Sequence, residues 1–221
     1  MERNPQHLNM SFAIGIPTLN RFDYLLPTLM MYSKDFTDVK VYVVDNGNQD
    51  IKNHPAIKKY RNLEVMVQDS NIGVAASWNL LCEKIFKDHE NALILNDDIY
   101  LGKGKKHIED LCNAKPILSI KRSTIDWCCF IMPKKVFQSV GKFDECFYPA
   151  YYEDKSYEYR MKLMAMPVKK TPALNPFIYK SSQTLEKMPS ILELSKANKK
   201  KYIEMWGGEP ERETFKTPYN V

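Results

Sequence analysis

Between residues 12 and 95, short apolar runs alternate with helix-patterned stretches, and three of the runs stop at a polar cluster. The first run covers residues 12–16 and meets Pro17. The second, residues 39–44, is rich in β-branched side chains and halts at Asp45-Asn46-Gly47, a strong turn signal. Residues 63–67 and 92–95 supply two more strand-like segments. Between them the period changes. Residues 21–33 carry Leu25, Leu26, Leu29 and Met30 at helical spacing, with Asn20 as the expected N-cap and Pro27 placed to kink the helix. Residues 71–87 offer Ala75, Leu80, Leu81 and Ile85 as a second stripe. This alternation predicts an α/β fold, with a mainly parallel sheet covered by helices.

Ligands of such sheets bind beyond the carboxyl ends of the strands. Thr18-Leu19-Asn20-Arg21 follows the first strand, Asp45-Asn46-Gly47 the second and Asn96-Asp97-Asp98 the fourth, which suggests one shared crevice. After Pro116 the pattern is less regular. Strands are expected over residues 117–120 and 127–132, helical segments over 134–140, 155–164 and 191–206, with Pro167, Pro172 and Pro176 marking an extended stretch. No repeat or low-complexity linker divides the 221 residues, so one domain with a C-terminal elaboration is expected.

Two acidic pairs could carry chemistry. Asp97 and Asp98 follow a buried strand, where unpaired charge is costly and a hard divalent cation would relieve it; a polar turn fits the residues equally well. Glu153 and Asp154 lie among Phe147, Tyr148, Tyr151 and Tyr152. A partly desolvated carboxylate there suits a general base, although spacing alone favours acids complementing a helix N-terminus. Asn71-Ile72-Gly73 through Asn79 opens a helix with small residues, but it is neither a dinucleotide fingerprint nor a P-loop. The four histidines show no metal spacing.

Composition narrows the classes. A net charge of +5, with short scattered lysine runs at 103–106 and 199–201, reads as solvated surface and argues against a nucleic-acid partner. The five cysteines have no CxxC spacing and fit a reducing compartment. No stretch approaches the ~20 apolar residues of a transmembrane span, and the polar residues 1–10, with Pro5, do not read as a signal peptide. A soluble cytoplasmic protein with no transmembrane segment is therefore expected.

Taken in order, these motifs resemble the family 2 glycosyltransferases of GT-A fold, including rhamnosyltransferase-like members of bacteria and large viruses. The resemblance runs over residues 11–163. It rests on Ile14-Gly15-Ile16-Pro17-Thr18-Leu19-Asn20-Arg21, Val43-Val44-Asp45-Asn46-Gly47, Asn71-Ile72-Gly73 to Asn79, Leu95-Asn96-Asp97-Asp98, Gly141-Lys142-Phe143-Asp144-Glu145, and Tyr152-Glu153-Asp154 with Arg160. It implies a nucleotide-sugar-binding half over about 11–115 and an acceptor-binding half over about 116–221.

The implied donor is a nucleotide sugar such as UDP-glucose or UDP-rhamnose, and the implied acceptor a glycan or glycoconjugate. Pro17, Thr18, Asn20, Arg21, Asp45, Asn46, Asn71, Gly73 and Asn79 would line the nucleotide. Asn96 and Asp97 would meet the ribose or donor sugar, Asp98 would bind Mn2+ or Mg2+, and Trp127 would face donor or acceptor. Asp154 would be the base, assisted by Glu153, in an inverting transfer. Two departures from the family pattern stand out: Asn96 replaces the first acid of the metal motif, and no histidine follows His107 to serve as a further ligand. The competing classes are a catalytically silent nucleotide-sugar-binding module and a sugar nucleotidyltransferase, whose glycine-rich, Lys/Arg-bearing opening loop is missing.

Overall fold

Four parallel strands form the heart of the molecule: β1 (Phe12–Thr18), β2 (Val41–Asp45), β3 (Leu63–Val67) and β4 (Asn91–Leu95). The structure is a computed structural model and describes residues 11–101, 105–114, 117–121, 126–174, 178–179 and 189–221. Within them a short pair, β5 (Ile99–Tyr100) and β9 (Ile178–Tyr179), stands apart, and β6 (Ser119–Lys121), β7 (Cys129–Pro133) and β8 (Lys169–Thr171) complete a seven-stranded sheet ordered β3-β2-β1-β4-β7-β6-β8. Only β7 runs against its neighbours.

Strands buried on both faces read as continuous apolar runs, which is why β1, β2 and β4 stood out in the sequence. Their alternation sorts the core into two layers. Phe12, Ile14, Ile16, Val41, Val43, Leu93 and Leu95 pack beneath α1 (Phe22–Asp35) and α3 (Lys105–Cys112). Ala13, Tyr42, Val44, Ala92 and Ile94 face α2 (Gly73–Ile85), α4 (Lys134–Val140) and α5 (Glu153–Leu163). Gly15 belongs to the second layer. A Cβ there would lie 2.8 Å from Ile94 Cδ1 and 3.2 Å from Leu81, so the bare backbone is what lets α2 sit so close to β1. A third cluster, Phe147, Tyr159, Tyr202, Met205 and Trp206, joins α5 to the last helix, α6 (Ser190–Trp206).

Several local expectations need correction. Arg21, not Asn20, occupies the N-cap of α1, and Asn20 instead takes a left-handed backbone with φ of 53°. The buried stripe of α1 is Leu25, Thr28, Leu29 and Tyr32, while Met30 is 48% exposed. The helix runs through Pro27 to Asp35. Trp127 sits in a 3-10 turn, Asp126–Cys128, ahead of β7 rather than in the strand. Helix α5 begins at Glu153, two residues earlier than expected, which puts both acids in its first turn.

Lysines of both runs form ion pairs with neighbouring acids, Lys105 with Asp38, Lys106 with Asp110, Lys199 with Glu209 and Lys200 with Glu204, as a solvated surface requires. None of the five cysteines is in a disulfide. Among the described residues no helix is long and apolar enough to cross a membrane. The readings made for residues 1–10, Lys103, Pro116 and Pro176 lie outside the described residues.

Candidate active site

The parallel strands end at one edge, and the loops leaving β1, β2 and β4 meet there. Thr18 closes β1 opposite Asp45 of β2. Its Oγ1 donates to Asp97 Oδ2 at 2.7 Å, while Thr28 Oγ1 on α1 donates to the Asp97 carbonyl at 3.0 Å. Asp97 is thus fixed from two elements as soon as it leaves β4. Burial pushes its carboxyl up to about 7, with the adjacent Asp98 charge adding to the rise and the Thr18 hydroxyl and Arg21 opposing it. Asn96, Asp97 and Asp98 are all half-buried, and the Asn96 amide continues the sheet by donating to Cys128 O at 3.0 Å.

Asp45 is wholly buried. Its carboxylate accepts from Gly47 N at 3.1 Å, Gln49 N at 2.9 Å and Gln49 Nε2 at 3.2 Å; Gln49 Oε1 in turn accepts from the first amide of α1, Phe22 N, at 2.9 Å. The geometry therefore gives Asp45 the task of building the turn. A Cβ on Gly47 would come within 2.2 Å of Asn20 Oδ1, so the loops bearing Asn20 and Asp45 are in direct contact. Arg21 is only 2% exposed; it pairs with Asp23 at 3.1 Å, and its guanidinium lies 3.7 Å over the Tyr24 ring. Pro17 lies within β1, beside Val44.

Asn46 carries the edge across to α2. Its Oδ1 accepts from Ile72 N at 3.2 Å and its Nδ2 donates to Ser77 Oγ at 2.9 Å, while Ser77 Oγ donates to Gly73 O at 2.6 Å. Asn71 Oδ1 accepts from Gly73 N at 2.9 Å. Gly73 has φ of +83°, and a side chain there would press on Pro149 O and Tyr148 at 3.0 Å. Val74 N donates to Pro149 O at 2.8 Å, which docks the loop preceding α5 on the first turn of α2. Farther along α2, Asn79 is buried and bonded both ways to the Phe143 backbone, at 3.0 and 2.8 Å, and to Glu145 at 2.9 Å. Its amide shapes the 143–145 loop.

Glu153 and Asp154 follow directly from that docked loop. Tyr151 and Tyr152 both adopt positive φ, 73° and 76°, to turn the chain into α5. Glu153 is 4% exposed, and its Oε2 has no hydrogen-bond partner among the described residues. Burial, then the charge of Asp154, holds the Glu153 carboxyl well above the ordinary range. Asp154 is half-buried; burial raises it too, while the Lys155 charge and its amide pull it back. Arg160 donates to Val140 O at 3.1 Å and Lys142 O at 2.7 Å and lies 3.4 Å from Asp144, tying α5 to the preceding loop. Trp127 is buried, stacked 6.1 Å from Trp78, and its Nε1 donates to Glu158 Oε1 at 2.8 Å.

The sheet edge thus brings together Thr18, Asn20, Asp45, Asn46, Gly73 and Asp97, with the loop before Glu153 and Asp154 docked on it through Pro149. Asn79 and Trp127 lie in the packing behind it. Sequence reasoning missed Thr28, Gln49 and Ser77, polar residues whose cross-element partners are 69, 27 and 31 positions away. No local pattern marks such contacts.

Among the described residues no group of three or more His, Cys, Asp and Glu could hold a metal ion unaided. The donor set at the β4 end is the Asp98 carboxylate beside an Asp97 already engaged by Thr18. It fits a Mg2+- or Mn2+-type ion that takes one or two carboxylates and completes its shell with substrate phosphates and water.

No family model matches the chain, and no curated protein matches it in sequence. Solved structures do match in fold. A mannosyltransferase from Pyrobaculum calidifontis, in complex with GDP-Man and Mn2+, aligns at TM-score 0.57 and 12% identity over 73% of this chain and 54% of its own. TarS of S. aureus aligns at TM-score 0.59 and 16% identity, covering 85% of this chain and 39% of that one. A 4-diphosphocytidyl-2C-methyl-D-erythritol synthase from Anaerococcus prevotii aligns at TM-score 0.54 and 11% identity over 86% of this chain and 96% of its own. The chain therefore spans about half the length, or less, of the first two. It is built on the GT-A-like α/β fold that glycosyltransferases and nucleotidyltransferases share.

Proposed function

We propose that this chain is a nucleotide-sugar-dependent, inverting glycosyltransferase acting on the hydroxyl of a glycan or glycoconjugate. The observation that carries the reading is the pair Glu153–Asp154, two carboxylates raised by burial at the start of α5, on a loop docked against the edge that also holds Thr18, Asn46 and Asp97. A hydroxyl nucleophile must lose its proton as it attacks, and a carboxylate of raised pKa is suited to taking it. In nucleotidyl transfer the attacking group is a phosphate oxygen that is already ionised, so such a base has no task. That contrast favours glycosyl transfer over the nucleotidyltransferase reading, with which the fold is equally compatible.

In the proposed reaction the acceptor oxygen forms a bond to the anomeric carbon, the bond from that carbon to the diphosphate breaks, and the acceptor proton passes to Asp154. Asp154 has the more open side chain of the pair. Glu153, the more deeply buried of the two, is read as orienting it or touching the donor. Thr18, Asn20, Asn46, Asn71 and Gly73 border the nucleotide, with Arg21 and Asp45 fixing the loops that form its walls. Asn96 and Asp97 face the ribose or donor sugar. Asp98 would hold the divalent cation, which when bound neutralises charge on the diphosphate leaving group. The donor is read as a UDP-sugar from the family resemblance, and the setting as cytoplasmic from the cysteine pattern.

Release of free nucleoside diphosphate from a panel of nucleotide sugars, with and without acceptor glycans, tests the proposal. Acceptor-stimulated release supports it. Binding of a donor without release under any acceptor would instead make the chain a silent binding module.

A further inference from the structure

The carboxylate pair depends on a turn that its own residues disfavour. Tyr151 and Tyr152 carry large side chains yet both hold positive φ, a region that side-chain-bearing residues avoid. Such a turn persists only where its surroundings impose it. On one side the imposing contact is α2, through Val74 N and the bare Gly73. On the other it is the C-terminal helix, whose Tyr202 ring lies 5.6 Å from that of Tyr152 and whose Asn198 alone, among the described residues, bonds the backbone of the turn. Asn198 on α6 is 1% exposed, and its Nδ2 reaches the carbonyls of Ala150 at 2.8 Å, Tyr148 at 3.2 Å and Tyr151 at 3.4 Å. The two N–H donors of one amide thus lie within reach of three carbonyls in the segment leading to Glu153. One turn into α5, Trp206 Nε1 donates to Ser156 Oγ at 2.9 Å, so α6 also grips the helix that the turn launches.

We propose that Asn198 is a positioning residue: it holds the 148–152 turn so that Asp154 is presented to the acceptor, which makes α6 part of the acceptor-side machinery. The assignment rests on the glycosyltransferase reading for the word acceptor, and on geometry alone for the clamp. A buried carbonyl that loses its donor is costly, so a side chain without an N–H at this position releases the turn and leaves the nucleotide edge intact. Among the described residues the other bonds of α6 stay off the 148–152 backbone: Lys201 Nζ donates to Cys146 O, ahead of the turn, and Tyr202 OH donates to Glu213 Oε1 at 2.6 Å.

The test compares Asn198→Ala with Tyr202→Phe in the full chain. In Asn198→Ala, amide hydrogen exchange over residues 151–155 accelerates by about tenfold or more. Donor affinity by calorimetry stays within about twofold, and kcat for transfer falls by about tenfold or more without a matching rise in donor KM. Tyr202→Phe lowers thermal stability but leaves both exchange at 151–155 and kcat near wild type. Unchanged exchange in Asn198→Ala, or equal losses of kcat in the two variants, overturns the assignment. If Asn198→Ala does not fold, Asn198→Ser, with one donor on a shorter stem, takes its place. A wild-type chain that transfers from no donor refutes the glycosyltransferase reading instead, and the exchange comparison then decides the clamp by itself.

Discussion

At the scale of single residues, the proposed site divides into groups assigned to substrate and groups that hold them in place. Asp154→Asn preserves shape but cannot take a proton. Transfer should fall by about 10²–10⁴-fold while calorimetric donor affinity is retained; undiminished turnover would remove Asp154 from the mechanism. Glu153 makes a prediction about pH. Its folded-state carboxyl is held above the ordinary value by burial, so at low pH folded and unfolded chains are both protonated and the side chain costs little. As pH rises, the unfolded chain releases a proton that the folded chain still binds, and stability is lost. Glu153→Gln does not titrate. Its stability advantage over wild type in urea should be small near pH 4 and grow to about 1 kcal/mol or more by pH 7; a gap that narrows with pH would contradict this. The sequence singled out both acids by their aromatic neighbours, and the helix N-terminus that their spacing favoured is where the structure places them. Asn198 was not singled out, since its partners are 47 to 50 positions away.

At the scale of elements, the strands β1, β2 and β4 and the helix α2 were evident because each is defined by its own local pattern, apolar in runs or at helical spacing. Helix α1 shows where that logic stops. Its face was read as Leu25, Leu26, Leu29 and Met30 because Met30 is apolar and Thr28 is not. Thr28 is buried nonetheless, because its hydroxyl has Asp97 O as a partner, and a buried polar group that is bonded carries little penalty. The contact between β1 and α2 gives a sharper test. Gly15→Val introduces atoms where even a Cβ lies 2.8 Å from the Ile94 side chain of β4 and 3.2 Å from Leu81 of α2, so that side chain must shift and α2 is pressed off the sheet. A loss of about 1–3 kcal/mol in chemical denaturation is expected, and a variant as stable as wild type would show that the two elements are looser than described.

At the scale of the whole molecule, the edge formed by β1, β2 and β4 should behave as one ligand-binding unit. A donor that binds only the folded chain, present at roughly a hundredfold excess over Kd, should raise the melting temperature by about 5–10 °C. For a metal-dependent donor the shift should require Mn2+ or Mg2+ and be lost in Asp98→Ala; an identical shift in the variant would take Asp98 out of the metal role. The half of the chain up to Leu95 could be anticipated nearly element by element. Beyond it, β6, β7, α4, α5 and α6 were also anticipated with slightly shifted bounds, whereas the reversal of direction at β7 and the closing strand β8 were not, because a three-residue strand is too short to show a period.

The aromatic packing has a spectroscopic consequence. The chain has three tryptophans. Trp78 and Trp127 are stacked at an interplanar angle of 27° inside the sheet core, an arrangement that couples their excited states and should give a paired band in circular dichroism. Trp206 stands alone, edge-on to Tyr159 in the C-terminal cluster. The coupled band therefore reports on the sheet, and Trp206 emission, isolated by subtracting a Trp206→Phe spectrum, reports on α6. Following both signals through one urea titration would distinguish a chain that melts as a unit from one whose last helix leaves first.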